Sequence, residues 1–331
     1  MSRRYPAAHG YYATDNIMPN EFYRDFLPVR AADPSISQTP LFMEIKSNLK
    51  REQVRLLAEA NVPGVQPGIE SLSANLLKLL RKGVSPLMNV YCLKLMREYK
   101  VSPVWNVLLR IPGERAADYD EMAQLIPKIV HFQPPCGSAR EIEMHRFSPY
   151  FEEGSHWATN RRPLPIYKLI YPEHCIDISR IAYFFEADWN DVLAASAYDE
   201  VRERVDEWRH AWREGVEPPS LICQVSGDGT LLITDTRCPV RGAGTWKLNE
   251  RESMVYRKLR DPTRIAALHA ELTPRIGTIE DIVDGFVENS LAIRESGRIL
   301  GLATEKERPN EQYSGDFVGA TRPGLTASAS A

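Results

Sequence analysis

The sequence has no long apolar run and no apolar segment behind its N-terminus. No stretch of its 331 residues approaches the length of a membrane-spanning helix, and no signal-peptide core follows Met1. Charge of one sign is not in excess either, because 41 Lys and Arg residues nearly balance 44 Asp and Glu residues, for a formal net charge of -3. Such a balance provides no strong field for nucleic acid or an anionic surface. These absences predict a cytoplasmic globular protein with neither nucleic acid nor a membrane as partner.

Cysteine is scarce and scattered. The five cysteines are odd in number and far apart, and none is separated from another by the two residues of a C-x-x-C motif. Without a secretion signal, a disulfide framework is not expected, and the spacing does not fit a zinc or iron–sulfur site. The sequence therefore predicts five inert thiols: Cys92, Cys136, Cys175, Cys223 and Cys238.

What the first half does have is a regular alternation of apolar strands and amphipathic helices. Strands are predicted at Tyr11–Thr14, Leu41–Lys46, Val65–Ile69, Val101–Leu109 and Arg140–Phe147, with helical periodicity between them. This alternation favours a parallel sheet or barrel, in which polar groups at the carboxyl ends of the strands form the site. Glu70, Ser71 and Glu114 each fall where a strand should end.

Several of these polar residues also have ordinary structural interpretations. Glu44 and Lys46 share one strand face and could form an ion pair in solvent, or in a barrel could face the mouth of the lumen. Asp15 and Asn16 could turn the chain or bind a ligand. His145 has no Cys or His at ligand spacing, which favours a surface histidine.

The second half is predicted to begin with helices at Tyr171–Phe185 and Asp188–Arg213. Pro218 and Pro219 then mark a boundary, followed by hairpin strands Leu221–Val225 and Leu231–Asp235. Helices at Glu250–Leu259 and Thr278–Glu288 and a closing hairpin of Leu291–Arg294 with Gly297–Leu302 predict a small winged-helix-like unit. The predicted divisions are a partial barrel at 1–155, a helical segment at 156–217, the winged-helix-like domain at 218–304 and a disordered tail at 305–331.

Five short motifs in the first half, taken in order, resemble those of the radical S-adenosylmethionine (SAM) enzymes. The resemblance is strongest to the cobalamin-dependent branch identified as C-methyltransferases that mature ribosomally synthesised peptides (RiPPs). One such motif alone is a weak signal, whereas five in order across about half the chain are a strong one. They are Thr14–Asn16, Glu44–Leu49, Gln66–Ser73, Trp105–Asn106 with Ile111–Glu114, and Arg146–Phe151.

The resemblance implies a partial six-stranded (β/α) TIM-like barrel lacking its first strand, with SAM across the carboxyl ends of the strands. It implies that Glu44, Lys46, Glu70 and Ser71 face the methionine and ribose groups, and that Ile111–Gly113 approach the adenine by backbone. It also implies a [4Fe-4S] cluster, cobalamin and a ribosomal precursor peptide as partner. The cofactor-binding residues expected from the resemblance are Asp15, Asn16, Glu44, Lys46, Gln66, Glu70, Ser71, Asn106, Pro112, Gly113 and Glu114.

Two departures from the family pattern matter. Arg110 stands where the family has glycine, and the family's C-x-x-x-C-x-x-C cluster motif, which precedes the Thr14–Asn16 strand, is absent. Because the cluster delivers the electron that cleaves SAM, this chain alone is not expected to initiate radical chemistry. The abrupt start inside the fold favours a truncated C-methyltransferase, inactive by itself. The alternative is a degenerate relative that binds SAM or the precursor peptide without chemistry, and the DNA upstream of Met1 would distinguish the two.

Overall fold

The chain folds into a mixed α/β structure with parallel sheets, seen in a computed structural model that describes residues 4–5, 7–13, 17–172, 174–238 and 243–305. Its first part alternates strands and helices. The elements are β1 Tyr11–Tyr12, α1 Phe22–Asp25, α2 Leu27–Ala32, α3 Pro34–Ser37, β2 Leu41–Ile45, α4 Arg51–Glu59, β3 Gly64–Pro67, α5 Ala74–Leu79, α6 Pro86–Glu98, β4 Ser102–Pro103, β5 Leu108–Leu109, α7 Ala116–Ile129 and β6 Arg140–Glu141.

Strands β1 to β4 lie in chain order in one parallel sheet, and β5 pairs with β6 in a second, also parallel. The single strand predicted over Val101–Leu109 is therefore wrong in one respect, because it is interrupted between β4 and β5. Pro67 and Pro103 lack the N–H that a sheet ladder needs, which explains why regular pairing stops there. The segment that enters β5 still runs beside the turn after β3, since Leu108 N donates to Glu70 O at 2.9 Å. The finer prediction of a partial six-stranded barrel stays a prediction.

Buried polar side chains fix the helices against this sheet. Asp118 on α7 is 1% exposed and accepts hydrogen bonds from Ser73 Oγ (3.0 Å) and Asn75 Nδ2 (2.8 Å) at the start of α5. Ser85 caps α6 by accepting from Met88 N, and Pro86 occupies the first turn, where its missing N–H is not needed. These hydrogen bonds fix where α5 and α6, two of the helices between the parallel strands, begin.

The middle of the chain differs from its prediction. The elements are β7 Met144–His145, α8 Pro149–Glu152, a 3-10 helix Gly154–His156, β8 Ala158–Pro163, α9 Ile166–Ile170, α10 Ile178–Ile181, β9 Phe184–Trp189, a 3-10 helix Ala195–Tyr198 and α11 Asp199–His210. The predicted helix Tyr171–Phe185 is wrong, because its aromatic end enters β9, which pairs antiparallel with β7 and β8. The helix predicted from Asp188 begins only at Asp199. The predicted strand Arg140–Phe147 likewise divides into β6 and β7, which belong to different sheets.

The last part contains both predicted hairpins. Its elements are β10 Leu221–Val225, β11 Leu231–Asp235, β12 Gly244–Lys247, α12 Glu250–Lys258, β13 Thr263–Arg264, α13 Ile265–Ile276, α14 Glu280–Glu288, β14 Ala292–Glu295, β15 Arg298–Gly301 and β16 Thr304–Glu305. The β14–β15 turn has Ser296 and Gly297 at φ 47° and 73°, as a tight two-residue turn requires. Helix α13 was not predicted. Glu305, predicted as the first residue of the tail, lies in β16 and pairs with Cys223 of β10. The rest of the tail lies outside the described residues.

One hydrophobic core runs through the first, second and third parts of the chain. It extends from Met18 to Ala303 and includes Trp105, Trp208 and Tyr256, each 5% exposed or less. A smaller cluster around Met144 and Phe185 lies under β7–β9. The predicted domain boundaries stay predictions. No helix within the described ranges is long and apolar enough to cross a membrane.

Candidate functional site

A cleft of about 400 Å³ opens where β3, β5 and β6 end. Its walls combine carboxylates, cations and aromatic rings. The lining residues are Gln66, Glu70, Leu79, Leu80, Arg81, Asn106, Leu108, Arg140, Glu141, Ile142, Glu143, His145, Ser148, Pro149, Tyr150, Glu153 and Trp157. Three of the predicted site residues, Gln66, Glu70 and Asn106, are among them.

Glu44 belongs to the same group of residues through the register of the sheet. It is the direct partner of Gln66 between the parallel strands β2 and β3, so the two side chains point to the same face. Burial, and then the negative charge of Glu70, raise the pKa of the Glu44 carboxyl. Glu70 in turn contacts Lys82 Nζ at 2.7 Å. The structure thus brings Glu44, Gln66 and Glu70 together at one strand end, while Lys46 is exposed just beyond β2.

The turn that presents Glu70 is held in an unusual backbone conformation. Glu70 has φ 48°, in the left-handed region that non-glycine residues rarely adopt. Asn89, fully buried on α6, fixes this turn by donating its Nδ2 to Ile69 O (3.2 Å) and Ser71 O (2.9 Å). Sequence reasoning missed Asn89, because an asparagine within an apolar helix gives no sign of which carbonyls it will contact.

Ser71 is predicted to face a ligand but is fully buried beneath the turn. Its Oγ accepts from Ser73 N at 3.1 Å and approaches Met122 Sδ at 3.5 Å. In this position it orders the start of α5 rather than lining the cleft.

Pro112, Gly113 and Glu114 also lie away from the lining of the cleft. Glu114 is 6% exposed and accepts from Ile111 N (2.8 Å), Leu193 N (3.0 Å), and the hydroxyls of Tyr119 and Tyr198. Burial and this carboxylate raise the pKa of both tyrosines far above the ordinary range. Both carboxylate oxygens are thus engaged by the protein.

Gly113 N donates to Asp191 O at 2.9 Å, and the glycine has φ 86°. A Cβ at this position would approach Leu79 to 3.3 Å, so glycine allows the chain to pack against the back of a residue that lines the cleft. Arg110 has φ 61°, a conformation that glycine adopts freely. Its guanidinium lies 3.4 Å from Glu141.

Most of the opposite wall was not singled out from the sequence. Trp157 Nε1 donates to Glu153 at 2.8 Å, and this bond together with Arg81 lowers the pKa of Glu153. Tyr150 packs edge-on against Trp157 and Trp189. Tyr150 lies within the Arg146–Phe151 motif, whereas Glu153 and Trp157 follow that motif and had no signal of their own in the sequence. Asp15 and Asn16 lie outside the described residues.

A metal or cluster site would need several Cys, His, Asp or Glu side chains close together. Among the described residues no group of three Cys, His, Asp or Glu is arranged to hold a metal ion. All five cysteines are unpaired, with Cys92 buried in α6 and Cys223 half-buried in β10. The residues described here do not fit an iron–sulfur cluster.

Comparison with solved structures finds partial similarity to cobalamin-dependent radical SAM enzymes. The chain is similar over 41% of its length to the cobalamin-dependent SAM radical enzyme OxsB with aqua-cobalamin bound, at 13% identity and a TM-score of 0.33. It is similar over 58% of its length to the radical SAM methyltransferase TsrM from Kitasatospora setae with cobalamin and a [4Fe-4S] cluster bound, at 17% identity and a TM-score of 0.39. The matches cover 22% of OxsB and 41% of TsrM, so the chain spans less than half of either. No protein-family model and no curated protein matches it.

Proposed function

We propose that the cleft binds SAM, and that the chain is the SAM-binding part of a radical SAM C-methyltransferase system that acts on a ribosomal peptide. The observation that supports this most is the grouping of Glu44, Gln66 and Glu70 beside a cleft at the ends of parallel strands. Ligand sites of α/β folds lie at this end of the sheet. The ordered motif resemblance selects SAM among the possible ligands.

The chemistry of the walls suits each part of SAM. The sulfonium and the aminium are cations, which the carboxylates of Glu70 and Glu44 would stabilise in a site partly shielded from water. Gln66 and Asn106 offer amide groups to the ribose hydroxyls. The rings of Tyr150 and Trp157 offer flat apolar surface to the adenine. Of the Ile111–Gly113 segment, which the motif resemblance assigns to the adenine, Gly113 lies against Leu79, and the segment is not part of the cleft lining.

The residues described here supply binding and orientation but no cluster ligands. A [4Fe-4S] cluster would supply the electron for radical formation, and cobalamin would carry the methyl group. In this proposal the residues of this chain hold SAM and contact the peptide.

Equilibrium dialysis of labelled SAM tests the proposal. Wild-type protein is expected to bind saturably, and Glu70→Gln to weaken binding about tenfold, since hydrogen bonds and contacts to a charged group contribute roughly 1.5–3 kcal/mol. Glu121→Gln, an exposed carboxylate on α7, is the matched control and should bind as wild type does. Absence of saturable SAM binding, or equal loss in both variants, would contradict the proposal.

A second candidate is a non-catalytic peptide-binding protein. The order α12, β13, α13, α14, β14, β15, with sheet order β13–β15–β14, supports the winged-helix-like unit that the sequence predicts. In the neighbouring sheet β12 pairs with β11 only, so its outer edge carries no other strand of the described chain and could accept an extended peptide. Calorimetry of the full chain with the precursor peptide encoded nearby should then show heat of binding through residues Pro219–Thr304, and no heat at high peptide concentration would argue against it.

A further inference from the structure

Helix α9 carries its apolar stripe on the outside. Ile166, Leu169 and Ile170 follow the i, i+3, i+4 spacing of one helix face, yet they are 45%, 83% and 63% exposed. A surface helix normally turns such a stripe toward the core. Tyr167, on the other side of α9, packs instead on the cluster around Met144 and Phe185.

The segment that leads into β9 extends this apolar surface. The Tyr167 hydroxyl accepts hydrogen bonds from Tyr183 N (2.9 Å) and Phe184 N (3.1 Å), which fixes that segment against α9. Ile181 and Tyr183 beside it are 45% and 47% exposed. Large apolar side chains that are exposed together, rather than singly, mark interaction surfaces.

Phe147 belongs to the same surface and is held there by a strained backbone. The residue has φ 67° and a 73% exposed ring, while the neighbouring Arg146 N donates to Tyr183 O at 2.7 Å. A left-handed conformation is costly for a bulky residue, and an exposed ring recovers little of this cost by burial. Strain of this kind concentrates where a residue contacts a ligand. We call Phe147, Ile166, Leu169, Ile170, Ile181 and Tyr183 the apolar rim.

The apolar rim is continuous with the cleft. His145 and Ser148, on either side of Phe147, both line the cleft. The His145 ring lies 5.5 Å from the Tyr183 ring and 4.9 Å from the Phe184 ring. A chain bound along the rim would therefore reach the cleft without leaving the protein surface.

We infer that the apolar rim is the docking surface for an extended peptide whose apolar side chains pack on α9 and Phe147, with an adjacent residue of that peptide entering the cleft. This inference rests on the proposed function, because it names the surface that would hold the peptide substrate beside SAM. Continuity with the cleft favours a peptide over a second copy of this chain, since a rigid partner on the rim would also cover the cleft entrance.

The probe is a pair of synthetic fluorescent peptides of equal length and charge, one with Leu and Phe at alternate positions and one with Ser in their place. Fluorescence anisotropy should show binding of the apolar peptide to wild-type protein and much weaker binding of the Ser peptide. The double variant Leu169→Glu, Ile170→Glu should lose about tenfold or more in affinity, because it replaces two large apolar side chains, whose burial would favour binding, with charged ones. Val225→Glu, at an equally exposed apolar residue on β10, should bind as wild type does.

Phe147→Gly provides a second, independent test. Glycine adopts φ near 67° freely, so the variant should be at least as stable as the wild type in urea, while its affinity for the apolar peptide falls. Equal binding of the two peptides, equal loss in the rim and Val225 variants, or unchanged affinity in Phe147→Gly would overturn the inference. A wild-type dimer in sedimentation that Leu169→Glu dissociates would also overturn it and assign the rim to a second copy.

SAM dialysis on the same samples separates the two proposals. If the apolar peptide binds at the rim but SAM does not bind, the proposed function fails while the docking surface stands. If SAM binds but the rim variants leave peptide affinity unchanged, the docking surface fails alone.

Discussion

Glu70 and Glu114 show how differently two carboxylates near the ends of strands can be used. Each follows an apolar run and a turn in the sequence, and each is predicted to face a ligand. In the folded chain Glu70 lines the cleft, whereas Glu114 is enclosed by two backbone N–H groups and two tyrosine hydroxyls. The difference arises from Leu193 and Tyr198, which approach from 79 and 84 residues further along the chain.

Glu114→Ala should therefore destabilise the protein strongly. Removing the carboxylate leaves buried donors without an acceptor, for a loss of about 3–5 kcal/mol in the free energy of unfolding. Urea denaturation measures the loss, and exposed Glu121→Ala on α7 serves as the control. A loss below 1 kcal/mol, together with weakened SAM binding, would instead make Glu114 a ligand-binding residue.

Lys94 is a second residue whose role depends on burial. Its Nζ, on α6, donates to Arg260 O (3.0 Å) and Gly301 O (2.7 Å), and burial lowers its pKa to about 8. The unfolded chain keeps this proton up to about pH 10.5, so between those values it binds more protons than the folded chain does. Stability contributed through Lys94 must then rise with pH across that window, by up to about 3 kcal/mol.

The test compares urea midpoints of the wild type and Lys94→Met from pH 8 to 10. The tyrosines with raised pKa values lower the stability of the folded protein as pH rises. Because they titrate in both proteins, the difference in stability between the wild type and the variant removes their contribution. The wild type should gain stability relative to the variant as pH rises. Parallel pH profiles would show that Lys94 keeps its ordinary pKa in the folded protein.

At the scale of elements, local signals predicted most helices and strands of the parallel region and both hairpins of the last part. The sequence pattern failed to predict the structure where the pairing of distant strands decides it. The aromatic run Tyr183–Phe185 has no period that separates a helix end from a strand, and only β7 and β8 on either side make it β9. Likewise, the residues of the cleft on β3 could be named in advance, and Tyr150 lies within a predicted motif. Glu153 and Trp157 could not be named, because no local pattern shows that the segment after that motif lines the cleft.

A backbone N–H at the N-terminus of α6 is satisfied by a side chain from far along the sequence. Leu87 N donates to Glu295 on β14 at 2.8 Å. Glu295→Ala should remove this bond and a favourable charge at a helix N-terminus, and lower the free energy of unfolding by about 1 kcal/mol. Urea denaturation at low and high salt checks this, since the electrostatic part should shrink with salt. A loss equal to that of Glu288→Ala, an exposed residue on α14, would contradict it.

At the scale of the whole molecule, the continuous core predicts that the two halves unfold together. Cys92 on α6 and Cys223 on β10 are free thiols in separate halves of that core. Their protection from alkylation, followed by mass spectrometry across a urea series, should be lost at one common midpoint. Exposed Cys136 should react throughout. Earlier reaction of Cys223 would show that the last part unfolds independently.

In the proposed site, Glu44 and Glu70 form an anionic strand end that holds the sulfonium of SAM. This arrangement is tested by the affinity of SAM relative to S-adenosylhomocysteine, which lacks the methyl group and the positive charge. We predict that the wild type prefers SAM and that Glu44→Gln and Glu70→Gln each move the ratio toward one, with Glu121→Gln unchanged. Equal affinity of the wild type for both compounds, or a ratio that neither variant changes, would contradict the claim.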